Sequence, residues 1–193
     1  MSKLYFSYSA MNAGKSTLLL QASHNYKEQG MNTMLMTAAL DDRAGKGHIA
    51  SRIGLDQKAD MFAAGDNVYD MIAARHKEEH VNCVMIDEAQ FLSAAQVWQL
   101  ADAADKLRIP ILCYGLRTDF AGELFPGSAV LLAIADTLRE IRTICWCGSK
   151  ASMVLRLDED GNVIKSGAQV VIGDDVYASV CRKHWQAGVP SKP

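Results

Sequence analysis

Short runs of apolar residues alternate with longer segments of mixed apolar and polar character through residues 1–142. Continuous apolar runs of this length predict buried strands, and apolar residues at helical spacing predict amphipathic helices. The predicted strands cover residues 4–8, 31–40, 83–86 and 109–116, and the predicted helices cover residues 15–29, 67–80 and 93–107. Apolar strands separated by helices are typical of a parallel sheet that is covered on both faces. We therefore expect an α/β fold whose ligand binds beyond the carboxyl ends of the strands.

Two segments depart from this alternation. Residues 41–54 are polar and contain glycines without sustained periodicity, so they predict a loop. Residues 152–157 alternate apolar and polar positions, and a turn at 158–162 leads into a second short apolar pair, which together predict a hairpin. We expect residues 1–142 to form the α/β core and residues 143–193 to form a small second domain.

Composition and charge exclude several classes of protein. The chain has 193 residues, of which 49% are hydrophobic and 22% charged, and its formal net charge is -2. These values exclude a disordered chain and disfavour a protein that coats nucleic acid. The apolar run at 129–135 is far shorter than the ~20 residues of a spanning helix, and the first residues lack a secretory signal. We expect a cytoplasmic protein with no nucleic-acid or membrane partner.

The first candidate for chemistry is a phosphate-binding loop at residues 9–16. The segment fits the P-loop template G-x-x-x-x-G-K-[ST] except at its first position, where serine replaces glycine. In such a loop the backbone N–H groups, the lysine and the hydroxyl contact the phosphates and Mg²⁺. A chance match on a surface turn is the alternative, but an apolar strand precedes the segment and a helix follows it. The candidate residues are Ser9, Ala10, Met11, Asn12, Ala13, Gly14, Lys15 and Ser16.

A pair of carboxylates follows the third predicted strand. The four apolar residues 83–86 place Asp87 at the carboxyl end of that strand, where it can hold Mg²⁺ beside the P-loop. Glu88 points elsewhere, so it is free to polarise water in an ATPase or to take a proton from a substrate hydroxyl in a kinase. The alternative is a strand-terminal pair that only caps the next helix.

Four candidate metal ligands lie in the second predicted domain. Cys145 and Cys147 form one pair, and Cys181 and His184 form the other. Three cysteines and one histidine suit a structural Zn²⁺ site, and a metal would stabilise a region with little core of its own. The alternative is four unrelated residues. The two remaining cysteines lie inside apolar strands, where we expect small buried hydrophobic side chains.

Together these segments resemble the type II (cytosolic-type) family of thymidine kinases, in particular its gamma-proteobacterial subgroup. The resemblance covers essentially the whole chain. The matching motifs are SAMNAGKS at 9–16, DEAQF at 87–91, YGLRTDF at 114–120, CWCGSKAS at 145–152 and VVIGDDVYASVCRKH at 170–184. It implies a P-loop NTPase (RecA-like) core with a small zinc-containing lasso domain at the C-terminus.

The resemblance also implies an activity and roles for individual residues. The activity is transfer of the γ-phosphoryl group of ATP to the 5′-hydroxyl of thymidine or deoxyuridine, with Glu88 as the general base. Arg43 matches a position near the transferred phosphoryl group, and Ala89 and Gln90 extend the ATP and Mg²⁺ site. The implied nucleoside-binding residues, which include the lasso loop, are Phe91, Leu116, Phe120, Phe125, Gln169, Val170, Val171, Ile172, Gly173 and Tyr177. Core packing is the alternative for Phe91 and Phe125.

The same resemblance implies a homotetramer that thymidine triphosphate inhibits. Two other classes of function remain as alternatives: a P-loop ATPase with a structural zinc ribbon, and a zinc-ribbon module that binds nucleic acid. A helicase would need a second core domain and a basic groove. A nucleic-acid ribbon should be basic, whereas residues 158–160 and 174–175 are acidic.

Overall fold

A computed structural model describes residues 3–41, 45–169 and 176–192. A 3-10 turn (Ala89–Phe91) follows the sixth strand, and a π-helical segment (Ala103–Leu107) follows the third helix. The strands and α-helices are, in chain order, β1 (Leu4–Ser9), α1 (Lys15–Glu28), β2 (Thr33–Ala38), β3 (His48–Ala50), β4 (Asp56–Lys58), β5 (Asp60–Phe62), α2 (Val68–Glu78), β6 (Cys83–Ile86), α3 (Ala94–Asp102), β7 (Ile111–Leu116), α4 (Pro126–Ile134), β8 (Thr137–Glu140), β9 (Thr143–Ile144), β10 (Lys150–Ala151), β11 (Met153–Leu157), β12 (Val163–Ile164), β13 (Val176–Val180) and α5 (Arg182–Ala187).

The core is a six-stranded sheet with the strand order β5-β2-β6-β7-β1-β8. Every pairing within it is parallel. The α/β fold with a parallel sheet, predicted from the apolar runs, is therefore confirmed. Strands β1 and β6 lie on either side of β7, so the segments that follow them meet at the same edge of the sheet.

Side chains of the central strands alternate between two buried clusters, one on each face of the sheet. On one face, Val84 and Ile86 pack with residues of α2, α3 and α4. On the other, Cys83 and Met85 pack with α1. Burial on both faces explains why strand β6 is apolar at every position rather than at every second one.

The helices begin and end close to the positions predicted. Ser93 caps α3 in a reciprocal arrangement with Gln96, and Asn67 caps α2 by accepting a hydrogen bond from the Asp70 N–H. Such caps satisfy backbone N–H groups that have no partner inside the helix. One prediction is only partly right, because residues 93–107 form α3 followed by the π-helical segment. Another is wrong in part, because the predicted loop 41–54 contains β3, which pairs with β4 in a hairpin.

The C-terminal region has its own sheet and its own apolar cluster. Strands β12, β11 and β13 form an antiparallel sheet, which confirms the predicted hairpin and adds a third strand. Within the described part of this region, the buried side chains of its cluster are Cys145, Ala151, Leu155, Leu157 and Val180. The division of the chain at residue 142 stays a prediction. Within the described residues, no helix combines the length and the apolar content that a membrane crossing requires.

Gly127, in the first turn of α4, has no space for a side chain. A Cβ atom at this position would lie 2.5 Å from the carbonyl oxygen of Leu92 and 2.8 Å from that of Ala89. Both atoms belong to the backbone that follows Glu88, so a larger residue at position 127 would displace the turn at the end of β6.

We predict that Gly127→Ala destabilises the protein by about 2 kcal/mol or more, since overpacking against backbone forces it to shift. Urea unfolding measures the change. Gly65→Ala is the matched control, because a Cβ atom at position 65 would have no neighbour within 4 Å and the backbone there is not left-handed. Equal stability of the two variants would contradict the prediction.

Candidate functional site

The P-loop joins the carboxyl end of β1 to the first turn of α1. Gly14 precedes the helix with φ 83°, a left-handed conformation that glycine adopts without strain. Ser9 is the last residue of β1 and is therefore extended. A serine fits there because an extended backbone does not require glycine.

The Lys15 side chain folds back over the loop. Its Nζ donates to the Ser9 Oγ at 3.3 Å and to the carbonyl oxygen of Ala10 at 3.4 Å. Ser9 in turn donates to the same carbonyl at 2.6 Å. Lys15 is only 8% exposed, so its charge lies inside the loop at the amino end of α1. This arrangement provides a cation and oriented N–H groups for an anionic ligand.

Asp87 meets the P-loop through Ser16. The Ser16 hydroxyl donates to Asp87 Oδ2 at 2.7 Å, and the N–H of Glu88 donates to Oδ1 at 3.1 Å. Two oxygen ligands at right angles around Mg²⁺ lie about 2.9 Å apart when each is 2.0–2.1 Å from the ion. The Ser16 and Asp87 oxygens are therefore close enough to share one magnesium ion.

Glu88 occupies a turn with an unusual backbone. Its φ of 52° is left-handed, which is uncommon for a residue other than glycine and is concentrated at functional sites. Gln90, which is only 1% exposed, donates through Nε2 to Glu88 Oε2 and accepts the Leu116 N–H through Oε1 at 3.0 Å. The Glu88 carboxylate is thus tied to the neighbouring strand β7. Gly115 allows this approach, because a Cβ there would lie 2.9 Å from Gln90 Oε1.

A cleft of about 850 Å³ extends from the P-loop across the carboxyl edge of the sheet. It brings together most of the candidate residues, although the sequence places them far apart. The predicted residues that line it are Met11, Asn12, Ala13, Gly14, Lys15, Ser16, Asp87, Glu88, Gln90, Phe91, Leu116, Phe120, Phe125, Gln169 and Tyr177.

Aromatic rings form one wall of the cleft. Phe91 and Phe125 contact each other edge to face, with ring centroids 6.1 Å apart. Phe91 also packs against the main core cluster. This side chain therefore both lines the cleft and contributes to core packing. Phe120 lies in the same wall and is almost fully buried. Such a wall suits a flat, largely apolar ring.

Three candidate residues lie beneath the cleft instead of lining it. Ser9 and Ala10, at the start of the P-loop, and Ala89, in the turn after Glu88, are buried and do not line the cleft. Five further candidates fall outside the described residues: Arg43, Val170, Val171, Ile172 and Gly173.

The cleft also includes residues that were not among the candidates. The hairpin of β3 and β4 contributes a stretch from His48 to Ile53. Asp119 also lines the cleft and accepts a hydrogen bond from Gln169 Nε2 at 2.9 Å. Although the resemblance gave it no role, Asp119 lies within the YGLRTDF motif at 114–120, which was its signal in the sequence. The hairpin had none, because its short strands lie in a polar segment without periodicity.

The four candidate metal ligands converge in the C-terminal region. Their ligand atoms all lie within 4.8 Å of one another. His184 Nδ1 is 3.3 Å from Cys145 Sγ and 3.4 Å from Cys181 Sγ, and Cys147 Sγ is 4.0 Å from Cys181 Sγ. Ligands of a tetrahedral Zn²⁺ with Zn–S near 2.3 Å and Zn–N near 2.1 Å lie about 3.6–3.8 Å apart. The cluster therefore fits a zinc ion.

This Cys₃His cluster is linked to the cleft through its neighbours in the chain. Ser179, just before Cys181, donates through Oγ to the carbonyl oxygen of Met11 in the P-loop at 2.6 Å. Trp185, next to His184, donates through Nε1 to the carbonyl oxygen of Phe120 at 2.9 Å. The C-terminal region thus contacts both the phosphate-binding end and the aromatic wall of the cleft.

Comparison with known proteins gives a consistent result over almost the whole chain. The family profile described as thymidine kinase matches residues 2–185. A thymidine kinase of Ruegeria pomeroyi is 63% identical over 187 residues, which are 96% of this chain and 94% of that protein. Thymidine kinases of Shewanella oneidensis and Haemophilus influenzae are each 60% identical, over 96% of this chain and 97% of theirs.

The pKa of Asp87 makes the stability of the protein depend on pH. Burial, and secondarily the nearby Glu88 carboxylate, raises the pKa of Asp87 to about 7, against an ordinary value of 3.8. Because the folded-state pKa is raised, protonation of Asp87 stabilises the fold. That contribution is complete below pH 3.8 and is lost as the pH rises through 7.

We predict that the metal-free protein loses stability between about pH 5 and 7, by at most about 1.4 kcal/mol per pH unit from this one group. Asp87→Asn, which cannot ionise, should lack this component. Urea unfolding in chelator at several pH values measures both proteins, and their difference cancels the other titrating groups. Parallel curves for the two proteins would show that the pKa of Asp87 is not raised.

Proposed function

The chain belongs to the thymidine kinase family, whose members transfer phosphate to thymidine, and we propose that it uses ATP to phosphorylate the 5′-hydroxyl of thymidine and of deoxyuridine. The product from thymidine would be dTMP, for nucleotide salvage and DNA synthesis. The observation that carries this proposal is one cleft that contains a P-loop, a pair of carboxylates and an aromatic wall.

The P-loop end of the cleft suits the triphosphate of ATP. Phosphoryl transfer depends mainly on positioning and on neutralising the charge of the phosphate oxygens. Lys15 and the N–H groups at the start of α1 supply positive charge there. Ser16 and Asp87 would hold Mg²⁺, which neutralises phosphate charge when it is bound. By resemblance, Arg43 adds a second cation near the transferred group.

Glu88 is the candidate general base. It lines the cleft, it follows Asp87 directly in the chain, and Gln90 donates a hydrogen bond to its carboxylate. A base must reach the hydroxyl proton while the phosphoryl group stays in line with the oxygen. A carboxylate on the turn after β6 meets both requirements, because its neighbour Asp87 faces the phosphate site.

The aromatic end of the cleft suits a pyrimidine nucleoside. Phe91, Phe120, Phe125 and Leu116 offer apolar surface to a flat base, and the amide of Gln169 lies beside them. By resemblance, we infer that Tyr177 and residues 170–173 complete the base contacts, largely through backbone groups. Backbone hydrogen bonds would read the edge of an uncharged base without a charged side chain.

We further infer that the Cys₃His cluster binds a structural Zn²⁺ and that residues 143–193 form a domain which shapes the nucleoside end of the cleft. The small apolar cluster of this region supports a need for metal stabilisation. From the family resemblance we also propose a cytoplasmic homotetramer that thymidine triphosphate inhibits.

A P-loop ATPase of another class is the alternative, in which Glu88 polarises water. The aromatic wall next to Glu88 favours the kinase, because hydrolysis needs no pocket for a base. ATP consumption with and without nucleoside separates the two functions. Consumption that ignores thymidine and increases with DNA would refute the kinase proposal.

We predict that Glu88→Gln lowers kcat for thymidine by about 10²- to 10⁴-fold, the usual size of a general-base contribution, because the amide cannot accept the proton. Binding of ATP should change little, since Glu88 does not hold the phosphates. A coupled assay across the common nucleosides measures kcat, and nucleotide titration measures binding. Glu78→Gln, at the exposed end of α2, is the matched control. Full activity of Glu88→Gln would refute the assignment.

We predict one Zn²⁺ per chain, and a loss of zinc with a chelator should lower Tm and raise the KM for thymidine, because the cluster supports the aromatic wall. Metal analysis, thermal unfolding and steady-state kinetics measure these effects. Cys145→Ser should lose the zinc, whereas Cys113→Ala, at a thiol buried in the main core, should keep it. A metal-free preparation with full activity would contradict the proposal.

A further inference from the structure

Arg156 is a buried arginine that the resemblance left without a role. It lies in β11 and is only 7% exposed, which is uncommon for a charged side chain. Val154, two residues earlier on the same strand, lines the cleft. Because residues i and i+2 of a strand share a face, Arg156 is on the side of the sheet that faces the cleft.

The guanidinium of Arg156 contacts both the aromatic wall and the segment just before Gln169. Its central carbon is 5.2 Å from the centroid of the Phe120 ring, which is the range of a cation–π contact. Its Nη1 donates to the carbonyl oxygen of Ala168 at 3.2 Å. The residue after Ala168 is Gln169, which lines the cleft.

Further contacts hold Phe120 and the 168–169 segment. Asp119, which precedes Phe120, accepts the hydrogen bond from Gln169, and Trp185 binds the Phe120 carbonyl. Arg156 adds to these contacts a link that reaches both the Phe120 ring and the backbone of the 168–169 segment. A planar guanidinium can stack on a ring and donate to a carbonyl at the same time, which suits arginine to this position.

We propose that Arg156 is a positioning residue for the nucleoside, which fixes the Phe120 ring and the Gln169 segment in the arrangement that receives the base. The inference rests on the proposed thymidine kinase activity of this cleft. Arg156 acts on binding through Phe120 and takes no part in the transfer of the phosphoryl group. Its loss should therefore weaken thymidine binding equally in the ground state and in the transition state.

The expected result for Arg156→Met is a KM for thymidine raised by about tenfold, the scale of a desolvated cation–π contact. The KM for ATP and kcat should stay within about twofold, because loss of uniform binding changes KM alone. Thermal stabilisation by thymidine alone, without ATP, should weaken in parallel. If Arg156→Met does not fold, Arg156→Lys serves instead, with an expected rise of about threefold since it keeps the charge but loses the plane.

A double-mutant cycle with Phe120→Leu tests the route of the effect. If Arg156 acts through the ring, Arg156→Met should add little to the KM of Phe120→Leu, since coupled residues are not additive. Arg117→Met is the matched control: Arg117 also joins the core to the C-terminal region, by donating to the Ser152 carbonyl oxygen at 3.2 Å, but it stacks near Tyr8 outside the cleft. It should change stability and leave the KM for thymidine unaltered.

Provided that the wild type phosphorylates thymidine, three results would overturn the inference. They are an unchanged KM in Arg156→Met, equal rises in the KM values for thymidine and ATP, and full additivity with Phe120→Leu. Failure of the wild type itself to phosphorylate thymidine would instead refute the proposed function. The two failures are therefore distinguishable from one set of assays.

Discussion

The hydrogen bond from Ser16 to Asp87 joins two residues that are 71 positions apart in the chain. It exists because β1 and β6 are parallel and lie on either side of β7, so that their carboxyl ends open on one edge. Burial of β6 on both faces holds Asp87 at that edge without water to stabilise its charge, which raises its pKa. The cation of Lys15 and the amino end of α1 lie on the other side of the same edge. The phosphate-binding end of the cleft depends on this meeting of two loops.

The opposite end of the cleft depends on contacts from the C-terminal region. Ser179 donates a hydrogen bond to the P-loop, and Trp185 and Arg156 both contact Phe120. Among the residues that the structure describes, the cluster of this small antiparallel sheet has only five buried apolar side chains, which gives the sheet little stability of its own. A metal in the Cys₃His cluster would therefore influence the shape of a pocket that it does not line.

Several residues at the proposed site depart from the usual preferences for backbone conformation and burial. Glu88 is left-handed without being glycine, and Lys15 and Asp87 are ionisable side chains in buried positions. Each of these features costs free energy in isolation. They persist because the surrounding sheet and helices determine the backbone on both sides, which is how a site is held in one geometry before its ligand arrives.

The sequence by itself determined the parallel α/β core, the P-loop, the carboxylate pair and the four ligands of the Cys₃His cluster. These are local signals, carried by apolar runs or by fixed spacings, so they can be read without knowledge of distant contacts. Only the tertiary structure decided that Gln90 supports Glu88, that Ala89 lies beneath the cleft, and that the β3 and β4 hairpin lines it. It also decided that Arg156 contacts the Phe120 ring. Such relations depend on how separate elements pack together, and side chains brought together from distant positions leave no periodic pattern in the chain.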